Sequence, residues 1–220
     1  PGLGALTEPL LEANEGKLHV VELDRDLIPI LRTKFFNYPE FVIHESDALK
    51  FNFDQLADDE HPIRIVGNLP YNISTPLIFH LLESIDHLKD MHFMLQKEVV
   101  DRMAAVPGSS AYGRLGIMTQ YFCKVQPLFL VGPEAFDPAP KVESAIVRLV
   151  PHKTLPYPVV DMERLQTIVR VAFTKRRKTL RNALSGVVAE EAFEALGIDP
   201  TLRPENLTLK QFTELSNWAG

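Results

Sequence analysis

Ile65-Val66-Gly67-Asn68-Leu69-Pro70-Tyr71 is the stretch of this chain that decides its fold. The apolar residues before Asn68 predict a strand, and an apolar helical pattern follows from Pro76 to Ile85. The amide, the proline and the aromatic ring therefore stand at the carboxyl end of a strand, which is where open α/β sheets bind ligands.

The chemistry of this turn suits the exocyclic amine of a flat ring. Pro70 holds Leu69 in an extended conformation, which leaves the Leu69 carbonyl free to accept a hydrogen bond. The Asn68 side chain adds a second acceptor, and Tyr71 offers a ring face for stacking. An ordinary strand-to-helix turn explains the same four residues equally well, because Asn and Pro are common in turns.

The remaining sequence predicts an α/β domain followed by a small helical one. The predicted strands are 18–23, 41–44, 64–67, 92–96, 124–131 and 144–150, and the predicted helices are 7–13, 25–36, 77–82, 98–105, 114–122, 162–173, 178–184, 190–196 and 209–218. Alternating strands and helices indicate a mostly parallel sheet, and the last two strands suggest an antiparallel pair at one edge. The proline-rich segment 151–158 separates a domain at 1–152 from an all-α domain at 158–220.

Composition excludes several classes of protein. The net charge of −6 argues against a general nucleic-acid binder, and no apolar run is long enough to span a membrane. The only cysteine, Cys123, falls in an apolar helical pattern that predicts a buried thiol, and the chain cannot form an internal disulfide. The seven histidines show no paired spacing, so we expect no metal site. A reducing cytoplasm fits this composition.

Three further candidate binding groups precede Asn68 in the chain, each at a turn or at the end of a predicted strand. Gly2 and Gly4 form a glycine turn that enters a helix, Glu22 ends the first predicted strand, and Asp47 follows the second. A carboxylate such as Glu22 can bind both hydroxyls of a ribose, and Asp47 can accept from an adenine amine. Each group alone is more typical of a turn, a helix cap or a solvated acid. Because successive strand ends of a parallel sheet line one crevice, their order favours a nucleoside site.

Two other features fit a nucleic-acid substrate. Phe136 lies in a stiff proline loop, where its ring could stack on a base, although core packing is the usual fate of phenylalanine. The segment 174–182 carries five basic residues and no acid, and a patch of this kind in an acidic chain favours a local contact with phosphates over a solvated helix face.

Together these motifs resemble the ribosomal RNA adenine N6-dimethyltransferases. The resemblance rests on Pro1–Thr7, Val21–Asp24, Ser46–Leu49, Asn68–Ser74 and Phe136–Ser144. The segments Phe173–Asn182 and Leu196–Leu207 are similar to the bacterial KsgA-type branch of that family. The similarity covers essentially the whole chain.

The resemblance implies a Rossmann-like class I methyltransferase domain with a helical domain that binds ribosomal RNA. It implies transfer of methyl groups from S-adenosylmethionine to N6 of two adjacent adenosines in the 3′-terminal hairpin loop of 16S rRNA, with S-adenosylhomocysteine as the product. The partner would be the small (30S) subunit, and the enzyme would be a cytoplasmic monomer that uses no metal and takes part in ribosome biogenesis.

The roles implied by the resemblance fall on four sets of residues. The catalytic set is Asn68, Leu69, Pro70 and Tyr71. The cofactor set is Gly2, Gly4, Glu22, Asp47 and Asn68. Tyr71 and Phe136 would stack on the substrate base. The RNA-binding set is Lys175, Arg176, Arg177, Lys178 and Arg181.

The chain departs from the family pattern at its start. The family has a segment and a central strand before the glycine turn, so we expect the sequence to be either truncated or confined to ordered residues. If the chain begins at Pro1, we expect weak cofactor binding and no activity. An Erm-type 23S rRNA methyltransferase shares the core motifs, but Arg203–Leu207 argues against it. A non-catalytic factor in small-subunit assembly is the alternative from another class.

Overall fold

The structure is a computed structural model that describes residues 1–220. It contains six strands, β1 (Leu18–Glu22), β2 (Phe41–Glu45), β3 (Ile63–Asn68), β4 (Leu88–Gln96), β5 (Cys123–Val131) and β6 (Ser144–Pro151). Its nine α-helices are α1 (Thr7–Ala13), α2 (Leu27–Lys34), α3 (Ser74–Leu82), α4 (Lys97–Met103), α5 (Arg114–Phe122), α6 (Met162–Thr174), α7 (Leu180–Ala183), α8 (Glu190–Ala195) and α9 (Leu209–Asn217). None of these helices is long and apolar enough to cross a bilayer.

The strands form a mixed sheet in two parts. β1 and β2 pair in parallel, and a second group has the order β3-β4-β6-β5. β3 and β4 are parallel, whereas β6 runs antiparallel to both β4 and β5. The predicted α/β class and the antiparallel edge are therefore confirmed. β1 and β3 do not pair with each other, so the sheet is interrupted between them.

Three clusters of buried side chains hold these elements together. The largest lies between the four-stranded group and α3 and α4, and includes Met91, Phe93 and Val147. A second joins the C-terminal helices to α5. A small third cluster, which includes Leu31 and Phe35, packs α1 and α2 against one face of β1 and β2.

The predicted boundary at 151–158 lies beside extensive packing between the two regions. Ile117, Met118 and Tyr121 of α5 belong to the same buried cluster as the C-terminal helices. The buried hydroxyl of Tyr112 donates a hydrogen bond of 2.7 Å to the Leu207 carbonyl. The division into two domains stays a prediction, but α5 contributes side chains to the core on each side of it.

Cys123 begins β5, because α5 (Arg114–Phe122) ends where the predicted helix 114–122 ends. The thiol is nevertheless buried as predicted, and burial raises its pKa to about 12, which suits a packing residue and not a nucleophile.

Close packing of α4 against α5 depends on Gly116. A Cβ atom added there would lie 2.4 Å from the Arg102 carbonyl oxygen, a backbone atom that cannot swing aside. We expect Gly116→Ala to lower the free energy of unfolding by about 1–3 kcal/mol, as overpacking does in other cores. Urea unfolding measures the change. Gly16→Ala is the control, because the same atom meets only Asn14 at 4.0 Å, and equal losses in both variants would contradict the packing argument.

Candidate active site

Gly2 and Gly4 form the glycine turn, and the backbone conformation at both positions favours glycine. Gly2 has φ 58° and Gly4 has φ 87°, both in the left-handed region that other residues rarely adopt. At Gly4 an added Cβ would also lie 2.6 Å from the Phe35 ring. The amide of Gly4 donates to the Pro1 carbonyl at 3.0 Å, which closes the turn just before α1.

The Glu22 carboxylate lies against this turn at the end of β1. One oxygen accepts from the Gly2 amide at 3.4 Å. The other accepts from the Asp24 amide at 3.0 Å. Only 13% of the side chain is exposed, so the carboxylate is fixed in position with acceptor capacity remaining on both oxygens.

Asp47 lies in the turn after β2, next to the end of β1. The amide of Ser46 donates to the Glu22 carbonyl at 3.1 Å, which ties this turn to the strand that carries Glu22. One Asp47 oxygen accepts from the Leu49 amide at 3.0 Å, so the side chain does stabilise its own turn. Its second oxygen has no hydrogen bond within the chain and is available to a ligand.

The turn that contains Asn68 presents two acceptors with no partner in the chain. Leu69 is buried and its amide donates to the Met94 carbonyl at 3.3 Å, which fixes the backbone beside β4. Neither the Leu69 carbonyl nor the Asn68 side chain takes part in an internal hydrogen bond, and Asn68 is exposed. Tyr71 is 49% exposed. The predicted amine-binding groups are therefore free to bind.

The proline loop 132–143 reaches the same edge of the sheet. It joins the end of β5 to the start of β6, where Ser144 pairs with Gln96 at the end of β4. The Lys97 amide also donates to the Glu143 carbonyl at 2.9 Å. Phe136 is half-buried in this loop and stacks on no other aromatic ring of the chain.

Packing brings the two groups of site residues together. Val21 and Ala48, the neighbours of Glu22 and Asp47, pack against the cluster that contains Leu69. No hydrogen bond joins Glu22 or Asp47 directly to residues 68–71. Both groups therefore border one buried cluster: the first carries acceptors suited to a nucleoside, and the second carries acceptors suited to an amine.

The basic segment 175–181 has two kinds of residue. Arg176 is 2.9 Å from the Glu205 carboxylate and donates to the Ser110 carbonyl at 2.7 Å. Arg181 pairs with Glu190 at 2.7 Å. These two are engaged within the chain, and the assignment of the run to RNA binding stays a prediction. Lys175, Arg177 and Lys178 are exposed and form no ion pair.

Comparison with known proteins identifies the family of this chain. A model of the ribosomal RNA adenine dimethylase family matches residues 1–220, the whole chain. The chain belongs to this family. It is therefore an S-adenosylmethionine-dependent methyltransferase that acts on adenine in ribosomal RNA.

Relatives of the dimethylase support the assignment along its length. The ribosomal RNA small subunit methyltransferase A of Marinobacter nauticus is 68% identical over 217 residues, which cover 99% of this chain and 78% of that protein. The protein of the same name from a Marinomonas species is 60% identical over 218 residues, covering 99% of this chain and 82% of the relative.

Solved structures show the same fold. A dimethyladenosine transferase from Plasmodium falciparum is 27% identical, with a TM-score of 0.80 over 97% of this chain and 85% of that one. The 23S rRNA methyltransferase ErmE is 24% identical, with a TM-score of 0.70 over 98% of this chain and 86% of its own. At that identity ErmE supports the fold alone.

The acceptor groups of this site fit the hydrogen-bond donors of S-adenosylmethionine. Glu22 and Asp47 keep free acceptor positions for hydroxyl and amine hydrogens. Gly2 has nothing within 4 Å of an added Cβ, so a ligand can approach its backbone. The assignment of Gly2, Gly4, Glu22, Asp47 and Asn68 to the cofactor stays a prediction that these contacts support.

Sequence reasoning missed two contacts of the dimethylase. Glu205 lies far along the chain from Arg176, so only the tertiary structure shows their pairing. His19 of β1 and His44 of β2 are 2.9 Å apart, with stacked rings. Burial, followed by the charge of His44, lowers the pKa of His19. No group of three or more His, Cys, Asp and Glu side chains is placed to hold a metal ion.

Proposed function

We propose that this dimethylase acts on 16S rRNA of the small ribosomal subunit, converting two adjacent adenosines of the 3′-terminal hairpin loop to N6,N6-dimethyladenosine. The observation that carries the proposal is the pair of unpartnered acceptors at Asn68 and Leu69, at the carboxyl end of β3. The high identity to small-subunit methyltransferases supports the choice of RNA. We further propose that the enzyme acts as a monomer.

The two acceptors address the weak nucleophilicity of adenine N6, whose lone pair is delocalised into the ring. The Asn68 Oδ1 atom and the Leu69 carbonyl accept the two amino hydrogens and orient the nitrogen. They also stabilise the positive charge that develops on the nitrogen as its new bond forms. S-adenosylmethionine, when bound, supplies the methyl group from a sulfonium. Positioning provides much of the remaining rate enhancement. The turn contains no general base, so the methylated nitrogen loses its proton to water after the transfer, and S-adenosylhomocysteine leaves as a neutral thioether.

The target base must leave its stack to reach these acceptors. The exposed ring of Tyr71 supports one face of the flipped adenine, and Phe136 supports it from the proline loop at the same edge of the sheet. Stacking on an aromatic ring contributes roughly 1–3 kcal/mol per base.

The test supplies the full-length protein with labelled S-adenosylmethionine and undermethylated small subunits, then maps the modified nucleotides. The proposal expects dimethyladenosine at two adjacent positions of the 3′-terminal loop. Modification of large-subunit RNA would favour the Erm-type alternative. Tight binding of small subunits without any dimethyladenosine would favour the assembly factor instead.

Charge reversal separates the two kinds of basic residue. We expect Arg177→Glu to raise the KM for small subunits and to reduce the slope of log Kd against log salt by about one, because one phosphate contact is lost. Its melting temperature should not change, since the side chain is exposed and unpaired.

Arg176→Glu makes the same change of charge at the neighbouring position. It removes the bonds to Ser110 and Glu205, so we expect a lower melting temperature in addition to any effect on RNA. Equal melting temperatures for the two variants would contradict the structural role of Arg176.

A further inference from the structure

A cleft of about 600 Å³ lies between the sheet and the C-terminal helices. Its eleven lining residues include Lys124, His152, Tyr157 and Lys210, and none is Asp or Glu. This charge pattern is unusual in a chain with 29 acidic and 23 basic residues. An acid-free cleft between lysines fits an anion.

The cleft is separate from the active site. Lys124 stands at the start of β5 and His152 directly follows β6, whereas the proline loop lies at the other ends of these two strands. With a rise of about 3.3 Å per residue, the length of β5 places the two sites on the order of 25 Å apart. A ligand in the cleft therefore has no access to Asn68.

The polar groups of the cleft are largely unoccupied. Lys124 is exposed and has no ion pair, while Lys210 has one weak contact of 3.7 Å with Glu214. His152 donates from Nε2 to the Gln120 carbonyl at 3.0 Å, which leaves Nδ1 without a protein partner. Tyr157 is 39% exposed and its ring packs on no other aromatic side chain.

We propose that this cleft is a second RNA-binding site, in which Lys124 and Lys210 contact backbone phosphates and Tyr157 stacks on an unpaired base. The combination of lysines with a free aromatic face is the one that binds single-stranded nucleic acid. The proposal rests on the proposed function, since ribosomal RNA is the polyanion that this enzyme meets. The cleft binds a single-stranded RNA segment that is remote from the methylated loop.

The double variant Lys124→Glu/Lys210→Glu tests the phosphate contacts. Its binding to undermethylated small subunits is measured by filter binding across a salt series. Losing two contacts should weaken binding at least tenfold near physiological salt and lower the salt slope by about 1.5. Lys17→Glu/Lys89→Glu is the matched control, because both lysines are exposed, unpaired and outside the cleft. Equal effects of the two double variants would overturn the proposal.

Tyr157 gives a second measurement that leaves the charge unchanged. Tyr157→Ala should weaken binding several-fold, and Tyr157→Phe should bind as the wild type does, because stacking needs only the ring. Equal binding by the wild type, Tyr157→Ala and Tyr157→Phe would overturn the proposed stacking of a base on Tyr157. Melting temperatures confirm that each variant is folded.

Titration of the protein with adenosine 5′-monophosphate alone shows whether the ligand of the cleft is an RNA segment or a free nucleotide. An RNA site expects no binding tighter than about 1 mM, whereas micromolar binding that the cleft variant abolishes would overturn the RNA assignment. These measurements need no turnover. Absence of dimethyladenosine would therefore refute the proposed function without obscuring the result for the cleft.

Discussion

Asn68→Ala should reduce methyl transfer by about a hundredfold or more while the protein stays folded. The side chain is exposed and has no hydrogen bond within the chain, so its removal costs the fold little. It does remove one of two acceptors for the adenine amine. Losing one preorganised group that stabilises transition-state charge typically costs 10²–10³ in kcat.

Single-turnover transfer from labelled S-adenosylmethionine measures this loss, and equilibrium binding of the cofactor is the control. We expect the cofactor Kd to change by only a few-fold, because Glu22 and Asp47 remain in place. Asn72→Ala, four residues along the same loop, is the matched variant with no assigned role. Wild-type turnover by Asn68→Ala would refute the assigned chemistry.

Glu22→Ala should have the opposite pattern, with weak cofactor binding as the primary defect. The carboxylate anchors the Gly2 amide and keeps free lone pairs for ligand hydroxyls. Hydrogen bonds to charged groups contribute about 1.5–3 kcal/mol, so we expect the cofactor Kd to rise by about 10- to 150-fold.

Calorimetric titration with S-adenosylhomocysteine measures the affinity directly. Glu45→Ala is the control, because Glu45 is the register partner of Glu22 but pairs with Arg25 at the surface. An unchanged Kd for Glu22→Ala would remove this residue from the cofactor site. Rescue of turnover at high cofactor concentration would confirm that the chemistry itself is intact.

Local patterns were sufficient to predict most elements of this fold. Burial imposes a regular spacing on apolar residues, and this spacing predicts the elements from sequence. It does so for the strands β1, β3 and β4 and for the helices α5, α6 and α9. The helix start at Thr208 was also predictable, since its hydroxyl accepts from the Gln211 amide at 3.1 Å in a capping box.

Tertiary partners account for what the sequence could not provide. The basic segment looks uniform along the chain, yet Glu205 and Glu190 approach it from distant positions and engage two of its arginines. Strand order similarly depends on long-range pairing, so the position of β6 between β4 and β5 could not be read from local propensity. The candidate site was more predictable, because strand ends of a parallel sheet converge by topology.

The shared packing of α5 has a consequence for how the enzyme selects a nucleotide. Because α5 contributes side chains to the buried clusters on both sides of the predicted domain boundary, packed side chains connect the basic segment to the Asn68 turn. We expect RNA bound at the basic segment to bring only nucleotides at a fixed distance to the Asn68 turn. Position along the folded RNA, more than base identity, would then select the adenosines that are modified.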